Sequence, residues 1–266
     1  MKTQLRLNST VPHGAGSGPE SGGIDLIYSF LLTEFEQTRY KYICINQVGL
    51  DLKEFIMRES GNKIHVNIYY PSYEDFEIKT INEKNLIRLD IIHTALVRIA
   101  KLYGKLEIKK LETIKEKIIA NKFDFDFVYK CYKYKGCENL TAKIIVHPEM
   151  DRFNYNCMVE KNNSLKCNIQ IYSGLTNLYY YPDLFSYLKW KSENVIIITG
   201  KREEVELYID IEKCTVIHKN LTNYSKPPYF EMMKADVSNI DREKVYKDWL
   251  HSLPPAQSAL LGHIPN

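Results

Sequence analysis

An α+β fold follows from three features of the chain: a block of strands, a central helical pair, and a second, longer block of strands closed by a C-terminal helix. Strand runs separated from helix runs argue against alternating βαβ units. The pattern predicts antiparallel sheets, a helical pair at about 82–121, and a second strand block forming a small β-sandwich or curved sheet.

Residues 1–23 hold Gly, Ser, Pro and His with almost no apolar period. So little apolar surface cannot offset the entropy of ordering, and a flexible N-terminal arm is expected. Residues 24–122 read as a β-meander followed by two helices. Ile64, Val66, Ile68 and Tyr70 alternate with His65, Asn67 and Tyr69, the period of a half-buried strand. "YKYICINQV" and "DFEIKTI" are its expected antiparallel neighbours, set off by Ser60–Asn62 and by Pro71-Ser72.

The period then changes. In "NLIRLDIIHTALVRIAKLYG", Leu89, Ile92, Leu96, Ile99, Ala100 and Tyr103 share a helical face, and Ile91, Ala95 and Leu102 form a second stripe. A helix apolar round most of its circumference is covered on more than one side. Gly104 suits its C-cap. "EIKKLETIKEKIIANK" is a second helix, more exposed.

Residues 123–252 read as an antiparallel β subdomain with a C-terminal helix, and 253–266 as a tail. "FDFDFVYKCYKY" places Phe123, Phe125, Phe127 and Cys131 on one face. "AKIIVHPE", "RFNYNCMVE" and "SLKCNIQIYS" follow, with "EKNNS" a natural reversal. "NVIIITG" suits a central strand. "VELYIDI" and "CTVIHKN" form a hairpin around Glu212-Lys213. "NIDREKVYKDWL" is an amphipathic helix capped at Asn239 or Asp241, with Val245 and Trp249 inward.

Composition bounds function. With 44% hydrophobic and 26% charged residues over 266 positions, the chain is of ordinary globular type. A net charge of +3, with Lys interleaved among acids, does not point to nucleic acid. No apolar run is long enough to span a bilayer, and "MKTQLRLNSTVPHGAGSGPESGG" has no secretory h-region, so a cytoplasmic protein is expected. The five N-x-S/T sequons, at Asn8, Asn139, Asn162, Asn220 and Asn223, then read as chance products of an Asn-rich chain. The six cysteines read as reduced thiols, since none forms a CxxC pair. Tyr (20) outnumbers Gly (12), as A/T-rich codons would produce.

No phosphate-cradling glycine motif, G-x-S-x-G elbow or HExxH is present, so neither a cofactor nor a metal is expected. His93 falls on the apolar face of its helix with Asp90 three residues back. A carboxylate orienting an imidazole is half of a general-base pair, although a core histidine is the plainer reading. In "HPEMD", His147, Glu149 and Asp151 end a strand, and alternation would put all three on one side as a hard-metal or acid–base cluster.

"TNLYYYPDLFSYLKW" is the aromatic concentration of the chain. "PDLFSYLKWK" reads as a short helix with Phe185 and Trp190 toward its flank. Tyr179, Tyr180 and Tyr181 cannot all point inward, so they and Trp190 are the expected binding residues. The leading expectation is a non-catalytic cytoplasmic module binding another protein, in concrete form an immunity or antitoxin-like factor of a low-GC bacterium. The alternatives are a metal-assisted hydrolase using His147, Glu149 and Asp151, and a structural subunit of a larger assembly.

Overall fold

The computed structural model describes residues 3–9, 14–16, 22–35, 40–49, 58–70, 75–136, 139–149, 151–176, 185–201, 204–221 and 227–253. The fold is mixed α+β, with the helical pair and C-terminal helix where the periodicity puts them. No described helix is long and apolar enough to cross a membrane. The chain divides into two compact units: Met1–Phe127 with His147–Phe153, and Val128–Val146 with Asn154–Asn266.

The first unit holds β1 (Gln4–Ser9), α1 (Gly22–Glu34), β2 (Tyr42–Val48), β3 (Arg58–Ser60), β4 (Lys63–Tyr69), α2 (Ile81–Tyr103) and α3 (Ile108–Ala120). Its sheet runs β1-β2-β4-β3. The expected antiparallel meander is absent here: β1 and β4 both pair with β2 in parallel, and only β3 runs the other way, against β4. Parallel neighbours need a crossover. Helix α1 is that crossover between β1 and β2. "DFEIKTI" is not a strand either. Phe76–Ile78 makes one 3-10 turn, and Thr80 then caps α2.

Two corrections concern the N-terminal region. The segment expected as a flexible arm contributes β1 to the sheet edge, with Leu5 and Leu7 fully buried. Helix α1 has no counterpart in the sequence reading. Ile24, Leu26, Ile27, Tyr28, Leu31 and Leu32 are all buried, along with the polar Asp25 and Ser29, so no one-sided apolar stripe marks it.

Those polar residues have a specific task. The backbone N–H groups of Leu7, Leu5 and Thr3 point off the free edge of β1. They donate to Asp25 Oδ2 at 3.0 Å, Ser29 Oγ at 2.9 Å and Thr33 Oγ1 at 3.2 Å. Four helical residues advance about 6 Å, and two strand residues about 6.6 Å, so a polar residue every fourth position matches an edge N–H every second position. The hydroxyls of Ser29 and Thr33 donate in turn to the carbonyls of Asp25 and Ser29. The edge is closed by side chains where a further strand would otherwise pair.

Helix α2 carries a capping box, with Glu83 N–H on Thr80 Oγ1 at 3.3 Å and Thr80 N–H on Glu83 Oε2 at 2.8 Å. It ends as expected on Gly104, in the left-handed conformation at φ 61°. Its first stripe is buried through Leu89, Ile92, Leu96 and Ile99, and its second through Ile91 and Ala95, but Leu102 at the end of the second stripe is exposed.

The second unit is built on two four-stranded sheets, β5-β6-β7-β8 and β12-β11-β10-β9. The first comprises β5 (Phe127–Lys133), β6 (Leu140–Pro148), β7 (Arg152–Lys161) and β8 (Ser164–Leu175). Strand β5 starts only at Phe127. Phe123, expected on its face, sits at φ 65° in the turn before it. The second sheet comprises β9 (Tyr187–Ser192), β10 (Val195–Thr199), β11 (Val205–Asp210) and β12 (Thr215–Asn220). Strand β10 is interior, and β11 and β12 form the expected hairpin. Helices α4 (Tyr229–Met232) and α5 (Asn239–Ser252) follow. Ser238 caps α5, one residue ahead of the expected start, and Trp249 is buried.

The cysteine reading needs correction as well. Cys167 of β8 and Cys214 of the β11–β12 turn form a disulfide, with Cα atoms 5.3 Å apart. Cys44 and Cys157 are buried free thiols, as expected, whereas the free Cys131 is exposed.

Asp25 makes the first unit sensitive to pH. Burial raises its pKa from 3.8 to about 8, against the Leu7 N–H and the charges of Arg88 and Arg6. A folded-state pKa above the unfolded one means that folding takes up a proton. Stability is therefore full below about pH 4 and falls as pH rises through about 8, with a slope near 1.4 kcal/mol per unit. Asp25→Asn, which keeps the acceptor for Leu7, is expected to flatten that slope in denaturant melts from pH 5 to 9. An unchanged slope would remove Asp25 as its source.

Candidate functional site

A cleft of about 470 Å³ opens within the first unit. Gly23, Ile24 and Ile27 of α1 line it, with Ile81 and Asn85 of α2, Lys122–Asp124 after α3, and His147, Pro148, Glu149 and Asp151 at the β6–β7 turn. The seam between α1 and β1 sets the first turn of α1 beside the carboxyl end of a parallel strand. Crevices at that end of parallel sheets are common ligand positions. Two helices present their first turns here, where backbone N–H groups lack intrahelical acceptors and the dipole favours negative charge.

His147 is the histidine of the lining. Its Nδ1 lies 3.0 Å from Asp126 Oδ1 and 3.9 Å from Asp124 Oδ1. A carboxylate on Nδ1 fixes the ring and favours the tautomer whose Nε2 accepts a proton. The side chain is about one-third exposed, and it lines the cleft.

Glu149 and Asp151 line the same cleft, and so does Pro148, because β6 ends there and the expected alternation does not continue through "HPEMD". They do not join His147 as a metal set. Arg152 holds Asp151 at 2.9 Å and approaches Glu149 at 3.6 Å. The Arg152 hydrogen bonds keep the Asp151 carboxyl below its ordinary range. Among the described residues no cluster of three or more His, Cys, Asp or Glu could hold a metal ion. Asp124 and Asp126, the actual partners of His147, lie more than twenty residues upstream. The alternating "FDFDF" reads as a strand, but the strand begins only at Phe127, and nothing local ties the two aspartates to a histidine on another strand.

Asn85 adds a polar group to the floor. It is 8% exposed, and its Oδ1 has no hydrogen-bond partner. Buried side-chain acceptors are normally satisfied.

His93 and Asp90 are not a pair. The carboxylate at His93 is Glu112 of α3, 3.3 Å from Nε2, while Nδ1 meets the Tyr28 hydroxyl at 3.1 Å. Burial pushes the His93 pKa down, against the pull of Glu112. Burial also raises the Tyr28 phenol. Asp90 turns instead to Tyr70 Oη and Lys115 Nζ, both at 2.8 Å. His93 is a core histidine joining α1, α2 and α3.

The expected binding residues fare differently. Tyr179, Tyr180 and Tyr181 lie outside the described residues, as do residues 182–184 at the start of the expected short helix. From Tyr187 the chain is strand β9, and Phe185 is fully buried. Trp190 is half-buried and packs on Tyr134 with ring centroids 5.1 Å apart. It faces the interior because Tyr187, Lys189 and Lys191 take the solvent side of the strand.

Comparison of the chain with protein-family models, with curated proteins and with solved structures finds no match. The site's own chemistry therefore carries the functional argument.

Replacing an orphaned buried acceptor with an apolar group of similar size relieves its desolvation cost. Asn85→Leu is expected to stabilise the unliganded protein by about 1 kcal/mol in denaturant melts. A loss of stability of that size would show that Asn85 has a structural partner.

Proposed function

We propose that the first unit binds a small polar molecule in this cleft and hydrolyses it, with His147 as the general base. The observation that carries the reading is the Asp126–His147 pair, at 3.0 Å, on the wall of a cleft faced by the first turn of α1. In this scheme Asp126 orients the imidazole, and Nε2 takes a proton from water attacking an acyl carbon. The α1 N–H groups favour the negative oxygen that develops. Ile24, Ile27, Ile81, Phe123 and Pro148 offer an apolar wall for the rest of the substrate. Four carboxylates, Asp124, Asp126, Glu149 and Asp151, against Lys122 and Arg152 favour a neutral or cationic substrate over an anion. The expected metal-assisted version is thereby replaced by a base built on Asp126. General-base catalysis contributes about 10²–10⁴-fold. His147→Gln is expected to lower turnover of neutral and cationic nitrophenyl esters by that factor, and Asp126→Asn by less. Equal turnover by both variants and the parent protein would remove the proposal.

The protein-interaction reading, without catalysis, has separate support in the second unit. On the outer face of its second sheet, Lys189, Ile197, Tyr208 and Ile217 align across β9–β12. Ile217 is 63% and Tyr187 57% exposed, and the Lys191 ammonium lies 5.8 Å from the Tyr208 ring centroid. Exposed aromatic and aliphatic side chains among lysines are typical of a protein-docking face. This reading moves the binding residues from Trp190 to the opposite face of β9. Ile217→Glu with Tyr187→Ser is expected to abolish capture of a protein partner from the native cell without lowering the melting temperature. Undiminished capture would count against it.

A further inference from the structure

We infer that the second unit matures in an oxidising secretory compartment and carries N-linked glycans at Asn139, Asn162 and Asn220. Two independent observations converge on this: a disulfide and the placement of the sequons.

The disulfide joins Cys167, buried on β8 of one sheet, to Cys214 in a turn of the other sheet, 47 residues on. Glutathione and thioredoxin keep thiols reduced in the cytosol, so a structural cross-link of this kind belongs to the secretory route. The paired cysteines count against the cytoplasmic setting expected from the sequence. Of the described free cysteines, Cys44 and Cys157 are buried and Cys131 is exposed.

The sequons sort by position. Asn8 lies in β1 of the first unit, and its amide donates to Cys44 Sγ at 3.1 Å and Asn46 Oδ1 at 3.2 Å, so it is engaged. Asn223 lies outside the described residues. Asn139, Asn162 and Asn220 all belong to the second unit, and all are exposed. Asn139 precedes β6 at φ 62°, and Asn162 opens the two-residue β7–β8 turn at φ 53°. Asn220 is the last residue of edge strand β12. A sugar attached at a turn or strand end projects into solvent without displacing core, which is the condition a folded glycoprotein must meet.

The chemistry balances with two co-reactants. A polyprenyl-diphosphate-linked oligosaccharide supplies the sugar. The Asn amide nitrogen bonds to the anomeric carbon and the carbon–oxygen bond to phosphate breaks. The lipid diphosphate leaves with the bonding pair, and the nitrogen loses a proton. For the disulfide, Cys167 and Cys214 give two electrons and two protons to the disulfide of a thiol oxidoreductase, which becomes a dithiol.

The test is intact-mass and peptide analysis of the full chain from its native source, before and after peptide:N-glycosidase and with alkylation before reduction. The expected result is a fall in mass on deglycosylation, with Asn139, Asn162 and Asn220 converted to Asp. One disulfide-linked peptide pair should contain Cys167 and Cys214. Thr141→Ala, Ser164→Ala and Thr222→Ala, which spare the turn asparagines, should each remove one glycan in a secreting host and leave the melting profile unchanged. Native chain of unmodified mass overturns the inference, whether or not the disulfide is present. So do Cys167 and Cys214 alkylated without reduction.

Discussion

The first unit depends on one seam, the hydrogen bonds between edge strand β1 and helix α1. An edge strand presents a row of unsatisfied N–H groups, and a buried row costs about 1–3 kcal/mol for each group left unpaired. Asp25, Ser29 and Thr33 remove that cost at three successive edge positions. The arrangement works because the spacing of every fourth helical residue nearly equals that of every second strand residue. Burying Asp25 is the liability that comes with it, and its raised pKa is the sign of that strain between hydrogen bonding and desolvation.

The seam also decides where the cleft lies. Because Leu7 bonds Asp25 while Thr3 bonds Thr33, α1 must run back along β1 with its first turn near the strand's carboxyl end. Gly23 and Ile24 of that turn then line the cleft. The β6–β7 turn supplies the histidine, and the stretch before β5 supplies the carboxylate that orients it. Three segments far apart in sequence thus meet at one wall. The histidine in the core shows the contrast. His93 is enclosed by Tyr28 and Glu112 and ties three helices, whereas His147 has Nδ1 held by Asp126 and lines a cleft.

In the second unit, turns hold residues that strand interiors would reject. Asn139, Asn162, Asn163 and Cys214 all adopt positive φ. Asn tolerates that region better than most residues. The Asn-Asn turn after β7 provides the tight reversal that β7 and β8 need, and Cys214 brings its thiol against β8. The cross-link then constrains a loop of 47 residues, which reduces the freedom of the unfolded chain.

Local pattern determined the helical pair, the strict alternation of β4 and β7, the β11–β12 hairpin and the glycine stop after α2, since each is written in neighbouring residues. The nearness of His147, Glu149 and Asp151 follows from their adjacency in the chain and not from alternation, since β6 ends at Pro148. Helix α1 was not, because burial on every side erases the amphipathic period. Nor were the parallel pairing of β1 with β2, the inward turn of Trp190, the carboxylates that engage His93 and His147, or the bond between Cys167 and Cys214. Periodicity records that a face is buried, but not what it is buried against. Partners separated by tens of residues are chosen by packing and by the need to satisfy every buried donor, and only the tertiary structure makes that choice.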